Sequence, residues 1–192
     1  MRAIFGWTMA VLMIAAPLRA AEPIPQSLPP MAGISASAAK ARAALFAELA
    51  AAKNDLEARA VEERLWTFWR SFADKRSRQL LEASKQAQLE FDYGHALIAM
   101  QELVKHQPDF AEGWNQYGYV LFLAGNYDAS LEAIDKVLTL EPMHYAALAG
   151  KGIILTQQGR VAEAQAPLKR ALEINPWLKE RNLIGKNPVA VP

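Results

Sequence analysis

Cysteine is absent from the 192 residues. That absence removes disulfides, thiolate metal sites and a cysteine nucleophile together. A surplus of one charge is also missing, since 21 Lys and Arg stand against 20 acids for a formal net charge of +1. A nucleic-acid binder ordinarily shows a basic stripe, and here the basic residues are scattered among the acids. No nucleic-acid partner is expected. Catalytic signatures are equally scarce. The stretch AGKGI (149–153) resembles part of a phosphate-binding loop, but Tyr145 stands where its leading glycine belongs and Gly152 where its hydroxyl belongs. No nucleophile motif and no pair of histidines one helical turn apart occurs. Acids such as Glu62 and Glu63 read as a solvated helix face. The chain reads as a non-enzyme with no catalytic residue, no cofactor and no metal site.

What is present begins with an uneven N-terminus. Arg2 is followed by an apolar stretch from Ala3 to Ala16, then Pro17, with small residues at Ala20 and Ala21. This is the layout of a secretory signal peptide over residues 1–20. A spanning helix needs about 20 apolar residues, and the run stops at Pro17 and Arg19. Leu18 is imperfect for cleavage, so an uncleaved inner-membrane anchor is the alternative; a membrane is a partner only in that case. Cleavage removes Arg2 and Arg19 and no acid, which moves the formal charge from +1 to −1. The expected location is the periplasm. Residues 21–35 are proline-rich, with little to bury, and read as an extended linker. A mature chain of this length can bury about 70% of its unfolded surface without a metal or disulfide staple.

The remainder is periodic. Sliding residues 111–142 forward by 34 places puts Gly118 on Gly152, Leu121 on Leu155, Gly125 on Gly159, Leu138 on Leu172 and Pro142 on Pro176. Sliding backward puts Pro142 on Pro108, Tyr127 on Tyr93 and Ser130 on Ala96. A 34-residue period of two helices resembles the tetratricopeptide repeat, in which small residues let paired helices approach closely. The middle copy, 111–144, carries the pattern best with Trp114, Gly118, Leu121, Gly125, Tyr127, Ser130 and Pro142. The third, 145–178, keeps Leu148, Gly152, Leu155, Gly159, Ala164, Ala171 and Pro176. The first, 77–110, is degenerate, with Ser84 and Phe91 in place of the two glycines. His95, His106 and His144 fall at three different phases of this period, so no convergence on a metal is expected.

Local chemistry agrees. Trp114, Tyr117, Gly118 and Leu121 share one helical face, Gly125-Asn126 is a turn signal, and Leu131, Ile134, Leu138 and Leu140 form a second stripe. A bulky residue at Gly118 is expected to overpack the crossing by about 1–3 kcal/mol. Pro167 lies beyond the first turn of its helix, where a bent or delayed helix is expected.

The flanks read as ends for the stack. Residues 36–74 should form two helices broken near Asn54, which Glu57 accompanies as a capping pair. Val61, Leu65, Phe68 and Phe72 give one apolar face, widened by Trp66 and Trp69. A hairpin that caps the stack is favoured over a further decayed repeat. At the other end, 179–192 should close the array, with Asn175 as cap, Pro176 at the first helical position and Gly185 as terminator. Trp177, Leu178, Leu183 and Ile184 would cover the last repeat. The fold expected is all-α: a helical solenoid of about three tetratricopeptide repeats, an N-terminal helical hairpin and a short C-terminal capping helix.

The resemblance implies a concave groove lined by the first helix of each repeat. By phase it offers Leu81, Lys85, Gln88 and Leu89, then Asn115, Tyr119, Phe122 and Leu123, then Ala149, Ile153, Thr156 and Gln157. Family members that grip a C-terminal carboxylate carry lysines and asparagines there. Only Lys85 and Asn115 fit that set, so the clamp is rejected in favour of an apolar helix or extended segment held at Tyr119, Phe122 and Leu123. The groove has two readings, open to a protein partner or filled by the chain's own helix around Trp66 and Trp69. The function expected is a periplasmic interaction scaffold or adaptor. The alternative is a structural or assembly subunit of a cell-envelope complex docked through its terminal helices.

Overall fold

A computed structural model describes residues 28–31 and 33–185. The signal-peptide reading and the final residues 186–192 lie outside the described residues. Among those described there are eight α-helices and no strand: α1 (Ala36–Ala51), α2 (Asp55–Arg70), α3 (Lys75–Leu89), α4 (Tyr93–His106), α5 (Ala111–Leu123), α6 (Tyr127–Leu140), α7 (Tyr145–Gln157) and α8 (Val161–Ile174). No described helix is long and apolar enough to cross a membrane.

Capping chemistry sets many of the boundaries. Asn54 Oδ1 accepts the Glu57 N–H at 2.9 Å, while the Glu57 carboxylate accepts the Lys53 N–H at 2.9 Å. This reciprocal pair satisfies one free donor of the first turn of α2 and the N–H of the residue preceding the cap. Asp74 and Asp92 cap α3 and α4 by accepting from Ser77 and His95 at 2.7 and 3.0 Å. Each repeat turns between its helices through the same six-residue bond. Asp92 donates to Ala87, Asn126 to Leu121 and Arg160 to Leu155, each at 2.8 Å. Such a cap needs a left-handed residue. Gly125 (φ 77°) and Gly159 (φ 74°) supply it, and in the first repeat Phe91 is forced into it at φ 58°. The turn survives the loss of its glycine.

Helices pair as α3 with α4, α5 with α6 and α7 with α8, and each pair packs on the next. At the α5–α6 crossing, Gly118 faces Ala133 and Ile134, and the buried Ser130 hydroxyl donates to the Gly118 carbonyl at 2.6 Å. The α7–α8 crossing is tighter, since a Cβ at Gly152 would lie 2.3 Å from Leu168 Cγ.

The N-terminal hairpin does not simply extend this stack. Its buried face is Ala58, Val61, Leu65 and Trp69, with Leu45, Phe46 and Leu49 from α1. These share one core with Met143 at the end of the second repeat and Tyr145, Leu148, Ala149, Ala171 and Ile174 of the third. The first repeat has a separate core, built on Ala96, Met100, Leu103 and Phe110 and closed by Val120 of the second. The hairpin therefore folds back across the array, and α2 also packs against α5.

Four expectations are corrected by these contacts. Residues 28–31 are not an idle linker, because Met31 is buried in the hairpin core and the Pro29 carbonyl accepts from Arg42 at 3.0 Å. The helix α8 is not delayed by Pro167; it begins at Val161 and runs through the proline. The carbonyl of Glu163, which loses its helical donor there, belongs to an exposed residue that water can reach. The closing helix is a single 3-10 turn, Lys179–Leu183, with no side-chain cap. Asn175 instead accepts from the Trp177 N–H and donates to Glu62 at 2.5 Å, so Glu62 ties the hairpin to the end of α8 rather than standing free in solvent. Leu183 and Ile184 cover the third repeat, while Trp177 and Leu178 join the core shared with the hairpin.

Candidate functional site

The face on which the hairpin docks is divided between a sealed half and an open half. In the sealed half, Arg42 of α1 grips Glu141, the residue that ends α6. Arg42 Nε donates to Glu141 Oε2 at 2.6 Å and Arg42 Nη2 donates to Oε1. Both residues are buried. Glu141 also accepts from Trp69 Nε1 at 3.3 Å and from the Met143 N–H at 2.9 Å. The carboxylate is thus surrounded by donors, which a buried ion pair requires if it is not to destabilise the fold.

Trp69 continues the seal by stacking on His144, with ring centroids 4.1 Å apart and planes 14° apart. His144 is fully buried. Its Nδ1 accepts the Ala147 N–H at 3.2 Å, capping α7, so its proton sits on Nε2, 3.2 Å from Glu112 Oε2. Glu112 on α5 also accepts from Asn115 Nδ2 at 3.0 Å and Gln116 Nε2 at 2.6 Å. Nearby, the Tyr145 hydroxyl is buried with no hydrogen-bond partner among the described residues. Burial pushes its pKa well above the usual phenol range, and the charges of Glu62, Glu63 and Glu112 push it further.

The open half is a pocket of about 360 Å³ between α2, α5, α6 and α7. Trp66, Tyr119, Phe122 and Ile153 form its walls; Asn115 and Gln116 add amides to the polar groups of Trp66, Tyr119 and Ser130. Tyr119 remains 51% exposed. Of the groove residues named by phase, Asn115, Tyr119, Phe122 and Ile153 meet here. Lys85, Leu123, Thr156 and Gln157 do not line it. Lys85 sits on the first repeat, 3.7 Å from Glu82, and Thr156 turns its hydroxyl to the Gly152 carbonyl at 2.8 Å. Ala149 is consumed in the core shared with the hairpin. The question of an open or filled groove thus resolves by position. Trp69 fills one part and Trp66 walls the rest.

Phase reasoning missed Glu112, Gln116 and the role of His144. A signal existed for Glu112, which precedes Asn115 by three residues and Gln116 by four and so shares their helix face. Nothing in the chain's periodicity marks Arg42 or Glu141 as partners across 99 residues. Among the described residues no cluster of three His, Asp or Glu is placed to hold a metal ion.

With this geometry in hand, the comparisons define the class. Residues 92–140 and 124–176 each match the tetratricopeptide repeat family. A TPR repeat-containing protein of Rhizobium etli is 29% identical over 132 residues, 69% of this chain. The aligned part spans 65% of that relative's length. In fold, the chain is similar to the TPR2B domain of yeast Sti1 solved with pHsp70, at TM-score 0.53 and 18% identity, over 57% of this chain and 91% of that one. It is likewise similar to the yeast Sti1 TPR2AB domain solved with pHSP90, at 0.52 and 18%, over 67% and 52% of the two chains. A double mutant of MamA gives 0.51 and 24%, over 54% and 58%. Residues 92–176 therefore carry tetratricopeptide repeats, and the chain has the tetratricopeptide-repeat fold.

Proposed function

We propose that the chain is an exported, non-catalytic adaptor that holds a protein partner on its concave face at Asn115, Tyr119, Phe122 and Ile153. The tetratricopeptide fold is that of an interaction scaffold, and the fold alone leaves the partner open. The observation that carries the reading is the pocket of about 360 Å³ that the hairpin leaves uncovered, walled by aromatic and aliphatic side chains on rigid helices. That the yeast Sti1 domains were solved with pHsp70 and pHSP90 supports a protein ligand for this architecture. A carboxylate-gripping mode is disfavoured, because the Asn115 nitrogen is engaged by Glu112 and Lys85 lies outside the pocket. Export is supported by Arg2, the apolar run Ala3–Ala16 and the small residues Ala20 and Ala21.

Docking of an assembly subunit through Trp66 and Trp69 is the weaker reading, since Trp69 is 1% exposed. The test is affinity capture from cell-envelope extract with the chain as bait, beside a variant carrying Tyr119→Ala and Phe122→Ala. A partner lost only from the variant, with helical circular dichroism unchanged, is the expected result. A partner retained by both sinks the groove assignment. Intact mass of the chain recovered from the periplasm tests export, with loss of about 20 N-terminal residues expected.

A further inference from the structure

Glu112 is a buried carboxylate without a counter-charge. It is 1% exposed, and its partners are Asn115, Gln116 and His144. The first two are neutral amides. His144 is neutral too, because its Nδ1 accepts a backbone N–H and leaves the single proton on Nε2. The other carboxylate buried with it, Glu141, has Arg42. A buried charge is ordinarily paired. Glu112 lies in the first turn of α5, where the helix dipole offsets only a fraction of a unit charge.

The two amides carry this imbalance to the pocket. Their NH₂ groups are turned to Glu112, an acceptor, so their carbonyl oxygens point away from it. Among the described residues no group donates to either oxygen, and both residues line the pocket. No lining side chain is charged. The cavity therefore offers two acceptors backed by an uncompensated negative charge, between the aromatic rings of Trp66, Tyr119 and Phe122. A carboxylate entering it would face the two amide oxygens and the charge behind them, with the Trp66 indole N–H and the Tyr119 hydroxyl as neutral donors in the lining. An ammonium on an aliphatic stem fits on every count: it donates three hydrogen bonds, its stem suits the isoleucine walls, aromatic faces attract it, and it supplies the missing counter-charge.

We infer that this pocket receives a lysine side chain of the protein partner. The inference rests on the adaptor reading for the source of that lysine. The test titrates the ¹⁵N-labelled full chain with n-pentylammonium, which reproduces the lysine stem and charge, beside pentanol and pentanoate. Saturable shifts of the Asn115 and Gln116 side-chain amides and the Trp66 indole N–H are expected. Pentylammonium should bind at least ten-fold more tightly than pentanol, with no saturation by pentanoate. Asn115→Leu and Tyr119→Ala, whose side chains are not fully buried, should each weaken pentylammonium at least five-fold with circular dichroism unchanged. Equal binding of pentanol, a preference for pentanoate, or no saturable shift overturns the assignment. Partner capture then separates the two readings. Capture that needs Tyr119 and Phe122 yet is undiminished by saturating pentylammonium overturns the lysine and leaves the groove standing. Capture indifferent to the double alanine variant overturns the groove, and with it the partner as source of the lysine.

Discussion

Inside the second repeat, α5 and α6 meet over Gly118, Ser130, Ala133 and Ile134, and one hydroxyl donating to one carbonyl is the polar content of that crossing. Where the N-terminal hairpin meets the end of the second repeat and the start of the third, the contact is organised around a buried guanidinium, a buried carboxylate, an indole N–H and a stacked imidazole. The first kind of interface joins segments about a dozen residues apart and depends on small side chains. The second joins residues 99 positions apart and depends on complete hydrogen bonding. Apolar crossings tolerate modest change in proportion to volume. A buried ion pair fails abruptly when one partner is removed, because the other is left charged and dry. The hairpin is therefore placed more exactingly than the repeats are stacked.

The sharpest way to break this contrast is Glu141→Ala, which strands Arg42 and should destabilise the chain by about 3–5 kcal/mol. Urea unfolding followed by circular dichroism measures it. Replacing Arg42 and Glu141 together by leucine should recover only part of the loss, since Trp69 Nε1 and the Met143 N–H keep no acceptor.

Within the repeats, Gly152→Ala should cost about 1–3 kcal/mol by driving a methyl into Leu168. The same change at Gly118 meets Ile134 at 3.4 Å and Ala133 at 3.5 Å. It should alter stability by less than about 1 kcal/mol, as the gain in helix propensity offsets the tight contact. Equal losses at the two glycines would show that the crossings are equivalent after all.

A third substitution should stabilise. Phe91 is 79% exposed and left-handed, so Phe91→Gly relieves about 1–2 kcal/mol of backbone strain. Glycine's larger unfolded-state entropy takes back about 0.5–1 kcal/mol. A net gain of up to about 1.5 kcal/mol is expected in the same unfolding experiment.

The smallest effect is electrostatic and sits at the covalent junction between hairpin and repeats. Asp74 accepts from the Ser77 N–H, and secondarily from His106, which lowers its pKa to about 2. Because this lies below the value of an unfolded aspartate, near 3.9, its contribution is complete above about pH 4 and is lost as pH falls through about 2. Asp74→Asn should flatten the stability profile across that window while leaving the neutral-pH fold in place.

Legibility followed the range of the interactions. The helical pairing, the left-handed turns at Gly125 and Gly159 and the Asn54–Glu57 cap were readable because each depends on residues a few positions apart. Phe91 shows the limit of even that, since the turn kept its geometry after losing the residue that favours it. Tyr119, Phe122, Asn115 and Ile153, named by phase, line the pocket, because a regular solenoid carries equivalent positions to one face. Lys85, Leu123, Thr156 and Gln157 satisfied the same phase and missed the pocket, because the hairpin decides which part of the face remains uncovered.

By itself, then, the sequence determined an all-α repeat array, its period, its turns and the face its first helices present. The tertiary structure decided where the hairpin lies, which half of the groove stays open, and that Glu112 is a buried charge facing a pocket through two amides. The physical reason is separation along the chain. Periodicity records what each repeat needs from its neighbours, whereas Arg42 with Glu141 and Trp69 with His144 become partners only once the hairpin has folded back across the array.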